Sequence, residues 1–185
     1  MRRPTTPRPG FAIVLLLVAA LMAGCGSGIT AGGLGPAPPD LATQLASPTT
    51  AMAATLAALQ AALRTGGYGL APAERPFRPS EPGSFLSVPR AVFRVTLADP
   101  DDGVVVIYEF TDAAAAAVAA GTLAGYLASG SGQTNFPGDA VFSVTYLGPT
   151  VALTWFSANR AGDPIAGRGA FDLIAAVGTT VRVVK

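Results

Sequence analysis

Residues 104–110 read VVVIYEF, an almost continuous run of apolar, strand-forming side chains. A strand with one wet face alternates apolar and polar residues, whereas an unbroken apolar run is typical of a strand in the middle of a sheet. Residues 104–110 are therefore predicted to form a central strand, and the other elements are expected to be arranged around it.

The preceding strand is predicted at residues 91–97, AVFRVTL, which alternate apolar and polar side chains. Between the two strands lies Asp99-Pro100-Asp101-Asp102-Gly103, the densest acidic stretch of the chain. Three carboxylates could hold a calcium ion, but a calcium loop needs a bidentate acid further on, and valines follow Gly103. A hairpin turn, with Pro at its second position and Gly at its end, is the favoured interpretation.

Three helices are predicted from their capping residues and apolar spacing. The first begins at Ser47-Pro48 and ends at Gly66-Gly67, the second follows Thr111-Asp112, and the third runs from Asp163-Pro164 to about Val177. The second, AAAAAVAAGTLAGYLA, has strong helix propensity.

Two glycine-containing stretches lie in or after the second helix. Gly121 and Gly125 form a GxxxG, which is expected to allow close backbone packing inside the domain. Residues 129–134, SGSGQT, lack the lysine of a phosphate-binding loop and are expected to be a flexible connection.

A second hairpin is predicted at residues 140–146 and 151–156 around Gly148-Pro149, with a short strand at 68–73 and an edge strand at 180–184. The predicted fold is α+β, with an antiparallel sheet of four to six strands built from two hairpins. Two to three helices are expected to pack on one face of that sheet.

The N-terminus resembles an export signal. Arg2, Arg3 and Arg8 precede the apolar run Phe11 to Ala23. This run of 13 residues is too short to span a bilayer, which needs about 20. Removing these three arginines from the 12 basic residues leaves 9 against 11 acidic residues, which gives no electrostatic case for binding nucleic acid.

The run ends in LMAGC, which contains Cys25, the only cysteine of the chain. A buried structural thiol and a catalytic nucleophile are two interpretations, but the chain has no histidine to act as a base. LMAGC resembles a bacterial lipobox. The resemblance implies cleavage between Gly24 and Cys25, a diacylglycerol on the Cys25 sulfur, and acylation of the new amine with a chain such as palmitate.

These features divide the chain into a lipoprotein signal peptide (1–24), a lipidated cysteine with a flexible Gly/Pro/Ala tether (25–47), and one extracytoplasmic domain (48–185). The protein is expected to be anchored by lipid to a bacterial membrane in the cell envelope. The sequence does not distinguish between the inner and the outer membrane.

Residues 84–112 resemble a family of small, uncharacterised predicted bacterial lipoproteins, through FLSVPRAVFRV followed by VVVIYEFTDAAAAA. Phe85, Ser87, Val88 and Pro89 match a Phe-x-Ser-Val-Pro strand of that family. The resemblance implies the same architecture and anchored placement. These four residues could form an edge that binds an extended partner segment, or Pro89 could simply protect an edge from aggregation.

The sequence is compatible with three classes of function. A non-enzymatic binding or scaffolding domain with an envelope protein partner is the leading hypothesis, without cofactor or metal. A carrier of a small apolar ligand, held between the sheet and the alanine-rich helix, is the alternative. A hydrolase could still pair Glu109 with Asp139 or Asp163. Oligomeric state stays open.

Overall fold

Each long helix begins at a side chain that accepts a hydrogen bond from the first turn. Asp112 accepts one from the Ala115 amide at 2.7 Å, and Thr49 and Asp163 act in the same way. The computed structural model describes residues 48–73, 79–97 and 103–183, all within one compact unit. Its helices are α1 (Thr50–Thr65), α2 (Ala113–Ala128), the four-residue α3 (Gly130–Gln133) and α4 (Pro164–Ala175), with a 3-10 turn at Gly83–Phe85.

The strands form one antiparallel sheet. They are β1 (Gly69–Pro72), β2 (Arg90–Thr96), β3 (Val104–Glu109), β4 (Val141–Leu147), β5 (Thr150–Phe156) and β6 (Thr179–Val181). Their order is β1-β2-β3-β5-β4-β6, so β3 is an interior strand between β2 and β5. The α+β class, the antiparallel sheet and both hairpins are confirmed.

The sheet separates two apolar cores. On one face Val106 and Tyr108 of β3 pack with Leu123 of α2, and on the other Val105 and Ile107 pack with α1 and α4. The expected placement of the helices on one face is therefore corrected: α2 covers one face, and α1 and α4 cover the other. The physical reason is β3 itself, whose consecutive residues point to opposite faces and are apolar on both.

The first helix begins slightly later than the sequence predicted. Its N-cap is Thr49, whose hydroxyl accepts from the Met52 amide at 3.2 Å. Pro48 therefore precedes the cap, and Ser47 lies outside the described residues. The predicted end is correct, because Gly67 adopts a positive φ of 81° that stops the helix.

Residues 129–134 are more ordered than expected. The Ser129 hydroxyl accepts from the Gly132 amide at 3.3 Å and starts α3 directly after α2. Gly132 is buried, and a Cβ added there would lie 2.1 Å from the Tyr126 carbonyl oxygen. The glycine is needed for this close approach, so the segment is a packed turn. The acidic residues 99–102 lie outside the described residues, although the β2–β3 pairing around them is antiparallel.

Candidate binding surface

An open groove of about 530 Å³ runs between the 3-10 turn and the N-terminal half of α2. Phe85 and Phe110 line it from the turn and from the end of β3, and Ala115, Val118 and Ala119 line it from the helix. The volume is within the usual range for small-ligand sites, about 300–1,000 Å³. The groove is an apolar surface that could hold a side chain of a partner.

Aromatic packing fixes the turn beside this groove. The buried Phe85 ring meets Tyr108 edge-on, with ring centroids 5.0 Å apart, and meets Phe110 with centroids 5.4 Å apart. Such edge-to-face pairs contribute about 0.5–1.5 kcal/mol each beyond the burial of their area. Leu86, which follows the turn, is 52% exposed.

A buried ionic cluster holds the segment that carries the turn. Arg90 Nη1 donates to both Glu81 carboxylate oxygens, at 2.8 and 3.0 Å, and the Tyr108 hydroxyl donates to Glu81 at 3.0 Å. The Arg90 and Glu81 side chains are only 4% and 2% exposed. Arg90 and Tyr108 are opposite each other in the β2–β3 register, so Glu81 pins the loop to two neighbouring strands.

No local sequence pattern predicts this cluster. Glu81 and Arg90 are nine residues apart across a loop that contains Pro82 and Pro89, and such a spacing matches neither helix nor strand periodicity. The only available hint was a charged residue, Arg90, at the start of a largely buried strand.

The outer face of α2 is uncharged and exposed. Val118 is 72% exposed, and no residue of Ala113–Ala128 carries a charge. A Cβ added at Gly121 or Gly125 would meet nothing within 4 Å in the described part of the chain. The expectation that these two glycines allow close packing inside the domain is therefore wrong, because both lie on the outward side of the helix.

Phe85, Ser87, Val88 and Pro89 do not form the strand that the resemblance implied, nor the sheet edge that was considered for them. Phe85 ends the 3-10 turn and is 1% exposed, Ser87 and Val88 lie in the turn that follows, and the Pro89 carbonyl accepts from the Glu109 amide. The edges of the sheet are β1 and β6 instead. An extended partner segment therefore has no free edge to pair with at these four residues, although Phe85 contributes to the groove.

The carboxylates weighed for hydrolysis are at opposite ends of the sheet. Glu109 is opposite Thr150 in the register, whereas Asp139 accepts from the Ser157 hydroxyl at 2.7 Å. Seven residues of extended chain separate Thr150 from Ser157, or roughly 23 Å. Asp163 caps α4. Glu109 and Asp139 are therefore not brought together as a pair, since the two carboxylates of a glycosidase, for example, lie about 5–9.5 Å apart.

Hydrogen bonds stabilise the ionised form of the Asp139 side chain. The Ser157 hydroxyl, first, and then the Asn159 amide at 3.0 Å stabilise the ionised carboxylate and hold its pKa below the usual range. Asp139 therefore braces the loop after β5 as a carboxylate, and Glu109 receives a hydrogen bond from the Thr49 hydroxyl at the start of α1.

The space between the sheet and α2 is filled by side chains. Ala116, Ala120 and Leu123 are each 0% exposed and pack directly on the strands. On the other face, a pocket beside β5 and α4 has a volume of about 20 Å³, which is room for a single water. This packing counts against a carrier that holds its ligand between the sheet and the alanine-rich helix.

Cys25 and Gly24 lie outside the described residues. Among the residues that the structure describes, no group of three or more His, Cys, Asp or Glu side chains could hold a metal ion. No helix in the described ranges has the length and apolarity required to cross a bilayer. Comparison of the chain with family models, curated proteins and solved structures gave no match.

Proposed function

We propose that this protein is a lipid-anchored, extracytoplasmic protein whose domain binds or scaffolds another component of the bacterial cell envelope without catalysing a reaction. The observation that carries the proposal is the order of features at the N-terminus: three arginines, an apolar run of 13 residues, and LMAGC. The cysteine follows small residues at the end of the run, as lipid attachment requires.

The anchor would hold the domain firmly and close to the membrane. At about 0.8 kcal/mol per buried methylene, two or three acyl chains give stable attachment where a single chain gives only reversible binding. Residues 26–47 contain one charged residue, Asp40, and many Gly, Pro and Ala. As a coil, this tether would have a root-mean-square reach of roughly 25 Å.

The surface chemistry of the domain supports a binding role. The groove beside Phe85 and the uncharged outer face of α2 present apolar area to solvent, and such area marks interaction sites. The separation of Glu109 from Asp139 counts against the paired-carboxylate hydrolase. The chain also has no histidine for a Ser-His or Cys-His site.

The anchor is tested by fractionating cells that produce the chain while labelled palmitate is supplied. We expect the native chain in the membrane fraction with label, and Cys25→Ser either unprocessed or soluble and without label. Gly26→Ala is the matched control, since it changes the next residue and leaves the thiol. Membrane retention of a processed Cys25→Ser chain would contradict the lipid anchor.

The binding role is tested separately, by cross-linking in intact envelopes followed by capture of the native chain. Val118→Asp places a charge on the groove wall at a 72% exposed position, so the fold should be kept. We expect the captured partner to be lost with Val118→Asp and kept with Ala176→Asp, which lies just after α4 on the opposite face. Equal capture by both variants would place binding elsewhere.

A further inference from the structure

The groove and the outer face of α2 form one continuous apolar surface, here named the α2 surface and defined by Phe85, Phe110, Val118, Gly121 and Gly125. It contains both a projecting side chain and a recess, because Val118 is 72% exposed and borders a groove of about 530 Å³. We propose that the α2 surface binds a second copy of this chain, with two-fold symmetry and α2 packed against α2. This inference rests on the proposed binding role and names a second copy as the component that the groove binds.

Self-complementarity argues for a second copy. In a two-fold interface the same patch meets itself, so a patch must present a knob and a recess together. Val118 of one copy can enter the groove beside Phe85 and Phe110 of the other, and the reverse contact follows by symmetry. Gly125 adds no side chain, so the two helix backbones can approach closely beside it.

The absence of charge on α2 also favours a second copy as the partner. α2 has no charged residue along its 16 residues, so two copies bring no like charges together. Asp112 is the one charged residue among the described residues that line the groove, and its carboxylate is turned back to the Ala115 amide at 2.7 Å. A membrane surface fits less well, because interfacial helices pair basic residues with large apolar ones, and α2 has no Lys or Arg.

The area buried between two copies determines how stable the dimer should be. A 16-residue helix is about 24 Å long, and with the groove beside it the patch is roughly 20 Å wide. Two copies would bury roughly 1,000 Å² in total, slightly below the ~1,200 Å² at which stable interfaces begin. We therefore expect a weak dimer in solution. On a membrane the dimer would be more stable, because anchoring raises the local concentration of the chain. This step depends on the proposed lipid anchor.

The experiment uses the lipidated full chain carrying Gly121→Cys, reconstituted in phosphatidylcholine vesicles and treated with a short bismaleimide. Gly121 faces open space, so a cysteine is accommodated there. Ala176→Cys, exposed on the opposite face, is the matched control for random collision. We expect at least tenfold more cross-linked dimer at Gly121 than at Ala176, and a tenfold loss when Val118→Asp is added to Gly121→Cys.

Equal cross-linking at the two positions would overturn the proposal. The absence of cross-linked dimer at every protein density would also overturn it. In that case the α2 surface would be covered by lipid or by the chain's own tether. Circular dichroism melting of each variant shows that the fold is kept. If the purified chain carries no lipid, the anchor is refuted, and the dimer is then tested with Gly121→Cys in a Cys25→Ser background at high concentration. Cross-linking of that chain leaves the dimer standing.

Discussion

Removing the Glu81 carboxylate should destabilise the domain more than removing any exposed charge. Glu81→Ala leaves the Arg90 guanidinium, 4% exposed, without its carboxylate and takes the acceptor away from the Tyr108 hydroxyl. Breaking a buried ion pair from one side costs about 3–5 kcal/mol. For a domain of this size, that loss lowers the melting temperature by roughly 10–15 °C.

Urea denaturation followed by circular dichroism measures this loss as a shift of the midpoint at constant slope. Asp172→Ala is the matched control, because it breaks the Arg168–Asp172 pair, whose side chains are 53% and 55% exposed. The control should change the free energy of unfolding by about 0.5 kcal/mol or less.

The double variant Glu81→Leu with Arg90→Met separates two explanations. Replacing both charges with apolar side chains of similar size should recover most of the stability, since no buried charge is left unpaired. A loss below about 1 kcal/mol for Glu81→Ala alone would refute the reasoning that the cluster holds the loop on the sheet.

Five other substitutions test the local structure. Gly121→Ala should raise the free energy of unfolding by about 0.5–1 kcal/mol in thermal melts, because alanine has a higher helix propensity than glycine at an exposed position. Gly132→Ala should lower the free energy of unfolding, because the added Cβ would lie 2.1 Å from a carbonyl oxygen of α2. Asp112→Ala should cost about 1 kcal/mol by removing the cap of α2, and an unchanged urea midpoint would exclude that role. Asp139 has a lowered pKa, so its stabilisation is complete above the unfolded value near 3.9 and is lost as the pH falls through the folded value. Stability measured from pH 7 to pH 2 should therefore fall less steeply for Asp139→Asn, and also for Ser157→Ala, than for the native chain.

The strands and helices could be predicted because their signals are local. Residues 104–108 are apolar without interruption, Asp112 and Asp163 are N-caps followed by helix-forming residues, and Gly148 turns a hairpin with a φ of 55°. The placement of helices on both faces was missed, although the same apolar run at β3 requires cover on both sides.

The candidate surface could not be predicted to the same degree. The resemblance at Phe85, Ser87, Val88 and Pro89 implies a strand, but Phe85 is packed against Tyr108 and the chain forms a 3-10 turn there instead. Arg90 meets Glu81 only through the tertiary fold. Gly121 has the same sequence signal whether it faces the core or solvent, so its outward position could not be read from the GxxxG spacing.

The central claim is that a lipid is attached to the Cys25 sulfur. The mass of the N-terminal peptide of the membrane-extracted protein tests this claim most directly. We predict a peptide that begins at Cys25 and carries the mass of a diacylglycerol on its sulfur. A peptide that begins at Met1, or one that contains Cys25 as a free thiol, would contradict it.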